Sequence, residues 1–554
     1  MADFEPTSLD PIQVEIIRNA LVAAAEEMSV TVWRTSRSAV VREILDYSIS
    51  VFDAHGRSTA QSAAMPVHLN SMTSCLDEIL ANHIPIEEWH EGDIIITNDP
   101  YAGGQHLPDI QTFKPVFLDG ERIAIAGILV HHLDVGGGAA GSYDARATEI
   151  YQEGFRMPPL KLAEGGRRNE AVIKLLLRNS REPVNVGGDF ASQLAALDTG
   201  VANLQRIGRR YGPATLAAAS ERIQAQSEAA MRAAIAAIPD GTYQFEDFVD
   251  DDGIERDRPL KIHVALTVAG DAVTIDLAGS SEQAVGPVNC TLNMSRSAVI
   301  CGVMMALGAD VPANAGCYRP VTVKAPEGLV VNARSPAPVA NRMATGHRIV
   351  TTVLGAFAAA MPGKVPAAYY GVSYAYALNC FLADGRRQVY FDLECGGWGA
   401  HPEEDGASAF SCGFHNIANA PIEMLENTLP VTFMEYGMVP DTGGRGRTRG
   451  GLGLARAFRV DAPAGAFAAN LERFKFAPYG LAGGEAGRPG RLAITRAGGS
   501  GAEELPSKLS GLKVARGDVI RLQTAGGGGY GDPAERPRSA VEADLKEGYT
   551  TAGS

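Results

Sequence analysis

The chain has 554 residues, 45% of them hydrophobic and 20% charged, with a formal net charge of -15 at pH 7. This is an ordinary globular balance, long enough for roughly three or four domains with ample surface to bury. The acidic excess argues against a nucleic-acid or anionic-membrane surface, because both need clustered Lys and Arg.

The N-terminus lacks a basic stretch followed by an apolar core, so no signal peptide is predicted. Asp10-Pro11 opens a first helix over 12–35, with Ile12, Ile16, Ile17, Leu21, Ala24, Met28 and Val32 at helical spacing. The stretch 40–53 ends in strand-like alternation and is turned by Asp-Ala-His-Gly. Asp46 precedes that strand on an apolar background, where a carboxylate needs a partner or water. A helix is predicted over 71–83, then a buried strand that delivers Asn98-Asp99-Pro100 to its end.

Two His-x-x-Asp units follow, about one hairpin apart: His106 with Asp109 and His131 with Asp134, both beside glycine-rich backbone. Either alone reads as a polar turn. Together, two imidazole–carboxylate pairs at the ends of neighbouring strands suit one divalent ion such as Zn, Mn or Fe. The run 123–130 is apolar throughout and predicts a central strand buried on both faces, with His131 and His132 at its carboxyl end, where open α/β sheets carry their sites. Adjacent strand residues point to opposite faces, so at most one of these two faces the site.

Residues 188–238 read as mostly helical, and from Thr242 the pattern alternates and turns like antiparallel strands. Buried helices are predicted over 295–308 and 344–361. The expected fold class is mixed α/β (α+β) and multi-domain. An N-terminal α/β metal-binding region (1–240) precedes a central α+β region (241–430) and a β-rich region (431–554) with glycine-rich loops and a polar tail.

No P-loop, no dinucleotide fingerprint between strand and helix, and no Gly-x-Ser-x-Gly elbow occurs. Arg445, Arg447 and Arg449 sit on flexible backbone that suits an anion, or more simply a solvated turn or subunit contact. The Gly526–Gly529 run suits a backbone nest or, as preferred here, tight folding. His401 and His415, with Glu403, Glu404 and Asp405, read as surface before site. Seven cysteines, odd in number and without a Cys-x-x-Cys pair, predict no disulfide framework. No apolar run reaches the ~18 residues needed to cross a bilayer. The expectation is a soluble, cytoplasmic protein that binds neither nucleic acid nor membrane.

Several motifs in order, DPIQVEIIRNAL, TNDPYAGGQHLPDI, HHLDVGG, VPANAGCYRPVTVKAPEG, DTGGRGRTRGGLG and TAGGGGYGDP, span nearly the whole chain. Through them the chain resembles the hydantoinase B/oxoprolinase family, the β subunits of ATP-dependent hydantoinases and lactamases, related to the large subunits of acetone- and acetophenone-type carboxylases. The resemblance implies Asp46, His106, Asp109 and His131 as metal ligands, with Asp134, and also Asp99, orienting a ligand or acting as a base. It implies a partner, a hydantoinase A-type ATPase α subunit using ATP and Mg, in a heterotetramer of two α and two β subunits. The α subunit would phosphorylate the carbonyl oxygen of a small cyclic amide, and metal-activated water on this chain would open the ring. Two other readings stand beside it: one component of an ATP-dependent carboxylase using the same ligands, and a non-catalytic scaffold for the ATPase.

Overall fold

Pro11–Thr35 forms helix α1 in the computed structural model, which describes residues 9–62, 65–68, 70–308 and 311–551. Asp10 caps it by accepting from the Ile12 N–H, and Pro11 fits the first turn, where no amide is needed. Val14, Ile17, Leu21, Ala24, Met28 and Val32 make its buried stripe. Ile12 and Ile16, expected on that stripe, face outward, 68% and 49% exposed.

After the short α2 (Ala39–Arg42) come β1 (Tyr47–Asp53), β2 (Ser58–Gln61), β3 (Ile94–Thr97), β4 (Asp109–Leu118), β5 (Glu121–His131), β6 (Leu160–Glu164) and β7 (Arg167–Arg168). They form one sheet in the order β2-β1-β5-β4-β3-β6-β7, antiparallel at every pairing. The sequence reading expects an open α/β sheet with its site at strand carboxyl ends; here neighbouring strands run in opposite directions, so one edge of the sheet mixes strand starts and strand ends. Asp119 and Gly120, both at positive φ, close β4 to β5 in the tight turn that Asp-Gly favours.

The sheet is covered on both faces, which is why β5 reads as a continuous rather than an alternating apolar run. Ile49, Val51, Ile128 and Val130 pack beneath α1, α5 (Pro183–Tyr211) and α6 (Pro213–Ala236). Phe52, Ile125 and Leu129 pack beneath α3 (Ser71–Asn82). The amphipathic α4 (Glu170–Asn179) leads into α5. Gly212, at φ +83°, followed by Pro213, splits the predicted 188–238 helical stretch in two.

A four-stranded sheet follows, ordered β11-β10-β9-β8, from β8 (Gly241–Val249), β9 (Leu260–Ala269), β10 (Ala272–Asp276) and β11 (Val321–Lys324). Between β10 and β11 lie α7 (Leu292–Leu307) and the short α8 (Ala315–Tyr318); α9 (Arg342–Ala360) comes after β11. Nearly every residue of α9 is buried, its basic residues included.

The rest interleaves two sheets. One is β13-β12-β16-β19, from β12 (Ala375–Phe381), β13 (Arg387–Asp392), β16 (Ala464–Asn470) and β19 (Lys508–Ala515). The other is β14-β15-β20-β17-β18, from β14 (Val431–Met438), β15 (Leu454–Val460), β17 (Arg491–Thr495), β18 (Ala502–Glu504) and β20 (Val519–Gln523). Because β12 pairs with β16, hydrogen bonds cross the division drawn at residue 430. Helices α10 (Ile422–Thr428) and α11 (Arg538–Glu547) complete the order.

The Gly526–Gly529 run is not a nest but tightly packed backbone. Each amide donates outward: Gly526 to Arg488, Gly527 to Gly451, Gly528 to Ala368 and Gly529 to Glu485. Tyr530 then donates to Thr448, so the direction repeats every third residue, as in a polyproline-II-type helix. A Cβ on Gly526, Gly527, Gly528 or Gly529 would meet backbone at 1.9, 1.8, 1.9 or 2.2 Å. The glycines are required by close packing of extended segments, and their amides are spent on it.

Candidate metal centre

β4 and β5 form a hairpin whose open end pairs Asp109 with His131. On the other side of β5, β1 begins opposite Val130, and the His131 amide donates to the Asp46 carbonyl at 3.1 Å. Asp46, His131 and Asp109 therefore form a row across three adjacent strands. Leu45, at φ +64°, puts a left-handed residue directly before Asp46; such a bend costs on the order of 1–3 kcal/mol and sets the approach of that carboxylate. His106 arrives from the loop before β4, and its Nδ1–H donates to Asp109 Oδ2 at 2.6 Å.

These side chains are buried. Ligand atoms of His106, Asp109 and His131 lie within 4.8 Å of one another, and Asp46, His106 and His131 line a cavity of about 30 Å3. That volume holds an ion or a water. Arg342, the first residue of α9, also donates to Asp109 Oδ2, at 2.7 Å. One oxygen thus takes two donors, while Asp109 Oδ1 and His131 Nδ1 have no hydrogen-bond partner. Unpaired buried acceptors are costly, and here both belong to a set with metal-ligand chemistry.

Burial pushes the His131 imidazole down to about 3, helped by His106. Burial and the Arg342 charge hold His106 well below its usual range. Both rings are neutral near pH 7, the form that ligates a cation. Burial, reinforced by Asp109 and eased by Arg342, raises Asp46 to about 8. The pocket by itself resists accumulating negative charge, which a cation would relieve. The donor set of two imidazoles and two carboxylates fits Zn, Mn or Fe.

His132, next to His131, turns to the other face and meets Gln193 Oε1 of α5 at 3.3 Å. Asp134 and Asp99 do not line the cavity. Asp134 accepts four hydrogen bonds, from the amides of Gly136, Gly141 and Arg181 and from Arg181 Nη1. Its acceptor capacity is spent on a loop, so the orienting or basic role expected of it has no contact through which to act. Asp99 accepts from the Tyr101 amide and pairs with Arg156 at 2.8 Å, again away from the cluster.

Sequence reasoning missed His68, which lines the cavity and holds Ser48 Oγ at 2.9 Å, and the cavity walls Tyr143 and Phe391. Phe391 stacks on His131 at a centroid distance of 5.6 Å. It also missed Arg342, which has no local signal: a single arginine at a helix start reads as solvated. Among the secondary candidates, Arg445 pairs with Glu485, Arg449 with Asp544, and Arg447 with Glu535. A cavity of about 980 Å3 beside this arginine loop shares no lining residue with the cavity of the Asp/His cluster. His415, expected near the surface, is buried. All seven cysteines are free. Among the described residues, no helix is long and apolar enough to cross a membrane.

Comparison with known proteins gives the same family as the motifs. The hydantoinase B/oxoprolinase family matches residues 10–533. The chain is 32% identical over 558 residues to the beta component of the caprolactamase of Pseudomonas jessenii, covering 98% of this chain and 94% of that one. It is 31% identical to the B-type component of a putative D-/L-hydantoinase from a Pseudomonas species, covering 98% and 93%. The crystal structure of the ATP-dependent caprolactamase from P. jessenii superposes with a TM-score of 0.92 at 29% identity, covering 98% and 95%. A nucleotide-free acetone carboxylase shares the fold, with a TM-score of 0.88 at 19% identity, over 98% of this chain and 78% of that one.

Proposed function

Because the chain belongs to the hydantoinase B/oxoprolinase family, we propose that it is the metal-binding β subunit of an ATP-dependent cyclic amidohydrolase of hydantoinase, N-methylhydantoinase or lactamase type. The supporting observation is the pair of unpartnered atoms Asp109 Oδ1 and His131 Nδ1 in one cluster with His106, where His131, His106 and Asp46 line a cavity of about 30 Å3. Asp46, His106, Asp109 and His131 would hold one divalent cation, Zn, Mn or Fe. Such a cation supplies Lewis-acid chemistry, polarising an oxygen and making water acidic enough to act near neutral pH.

The chain's own residues do the positioning. Asp109 Oδ2 accepts from the His106 Nδ1–H and so leaves Nε2 of that ring free as a donor atom. Arg342 fixes the same carboxylate and balances the charge of two acids in one dry pocket. Tyr143, Phe391 and Met343 wall the cavity and limit water. A ring amide is larger than this cavity, so a wall moves when substrate enters.

An amide carbonyl resists attack because nitrogen donates into it. Phosphorylation of its oxygen by a partner ATPase of hydantoinase A type removes that stabilisation, and attack on the carbon then opens the ring. The caprolactamase and hydantoinase relatives are named as subunits, which supports such a partner. A complex of two α and two β subunits is the assembly we expect.

The test is ring opening by the reconstituted pair. With ATP and Mg, a hydantoin, a lactam or 5-oxoproline should open only when the two proteins are combined. Turnover of a ketone strictly dependent on bicarbonate would favour the carboxylase reading, for which the likeness to acetone carboxylase is a fold argument. Full activity in His106→Ala and Asp109→Ala would leave only the scaffold reading.

A further inference from the structure

A second group of buried ligands lies apart from that cavity. His347 stands in the second turn of α9, and Cys412 and His415 are spaced Cys-x-x-His between β13 and α10. One ligand atom from each falls within 4.8 Å of the others, and all three are buried. Cys412 Sγ stands 3.5 Å from His347 Nδ1 and 3.6 Å from His415 Nε2. In a tetrahedral zinc site, Zn–S and Zn–N bonds of about 2.3 and 2.0–2.1 Å put sulfur and nitrogen roughly 3.5–3.6 Å apart. Both edges already have that length.

The surrounding hydrogen bonds prepare the donors. Ser411 Oγ–H donates to the His415 carbonyl at 2.9 Å, so its oxygen accepts from His415 Nδ1 at 2.8 Å. The His415 proton is therefore on Nδ1, and the Nε2 lone pair faces the sulfur. His347 Nε2 faces Ser373 Oγ at 3.5 Å, leaving Nδ1 toward the sulfur and the Tyr369 hydroxyl, 3.1 Å away. This is the arrangement of metal-bound histidines, each with its far nitrogen held by a second group. Burial keeps both rings neutral and lifts the Cys412 thiol to about 12. The thiol proton leaves only when a cation replaces it.

We propose that His347, Cys412 and His415 form a second metal site that takes Zn(II), with its fourth position facing the Tyr369 hydroxyl. Binding forms a Zn–S bond and releases one proton per ion. The soft thiolate, in a ligand group without a carboxylate, separates it from the Asp/His cluster, which suits harder ions as well. Its role is structural. The ion joins α9, whose Arg342 and Met343 line the first cavity, to the 411–415 segment, which holds one of its lining residues. Helix α9 carries Arg342 to Asp109. Ser373 lines that cavity, and the Phe414 carbonyl holds the amide of Val67, another lining residue, at 2.8 Å. The second site braces walls of the first.

The test uses the full chain, stripped of metal and titrated with Co(II). Thiolate-to-cobalt charge transfer in the near ultraviolet can arise only where a cysteine ligates. The wild type and His106→Ala should both show it. Cys412→Ser should lose it, and one equivalent of zinc with it, while keeping the cation of the Asp/His cluster. A wild type saturated with cobalt but showing no thiolate band overturns the proposal and leaves a hydrogen-bonded triad only; this reading needs no variant to fold. A band that persists in Cys412→Ser places the thiolate on another cysteine and overturns it equally.

Discussion

His106 and His131 share their pocket with two carboxylates, whereas His347 and His415 share theirs with a thiol. The first group sits at the open end of one hairpin and lines a cavity. The second is closed in by Tyr369, Ser373 and Ser411. Carboxylates favour hard or borderline cations and leave room for an oxygen substrate; a thiolate in a closed shell holds a softer ion for structure. Similar histidine pairs are suited to opposite tasks by the third group beside them and the access around it.

The two groups separate most decisively by which cation and which activity each variant loses. His106→Ala or Asp109→Ala should cut ring opening in the reconstituted pair by about 10³-fold, roughly 4 kcal/mol in the barrier. Each should also lose the cation of the Asp/His cluster while leaving the thiolate-bound one, as metal per chain and initial rates would report. If either variant empties both clusters, they are one cooperative unit and the contrast fails.

A smaller effect is expected one shell out. Arg342→Met removes a 2.7 Å donor from Asp109 and should weaken cation affinity at that cluster about 10- to 100-fold. Zinc at the Cys412 group should stay. Competition with a chromophoric chelator measures both.

Asp134 sharpens the border between site and scaffold. Asp134→Asn forfeits acceptor strength toward four N–H donors, which should cost about 1–3 kcal/mol of stability. Thermal unfolding should shift while the rate per folded chain stays within a few-fold. A rate loss without an unfolding shift would give Asp134 a part in the chemistry after all.

The last effect is on stability in acid. Burial lowers His68 to about 3 from an ordinary 6.5. Between those values the unfolded chain binds the proton and the folded chain does not, so stability falls as pH drops, by about 1.4 kcal/mol per unit from this group. Unfolding of the metal-free chain should become less acid-sensitive between pH 6.5 and 3 in His68→Gln. An unchanged slope would mean that His68 accepts its proton without leaving the fold.

Much of the fold and part of the site were legible in the sequence. Periodicity found α1, α3, α7 and α9 and the strand ending at His131. It did not show that Ile12 and Ile16 face out, because a helix with apolar residues on adjacent positions has two plausible stripes. It suggested a boundary at residue 430, yet β12 and β16 pair across that point, since composition says nothing about which strands meet. His415 read as surface from its Gly- and acid-rich neighbourhood; that neighbourhood folds against α9.

The chain by itself determined that two His-x-x-Asp units flank a hairpin, because ligands brought together by one turn carry their spacing in the sequence. The chain also carried its family, through motifs spread from 10 to 533. Tertiary structure alone decided that Asp134 serves Arg181, that Arg342 reaches Asp109 across 233 positions, and that His347 meets Cys412 across 65. The physical reason is that sequence pattern assigns a residue to a face of its own element. What stands opposite that face is set by packing between elements far apart in the chain, which leaves no local spacing to read.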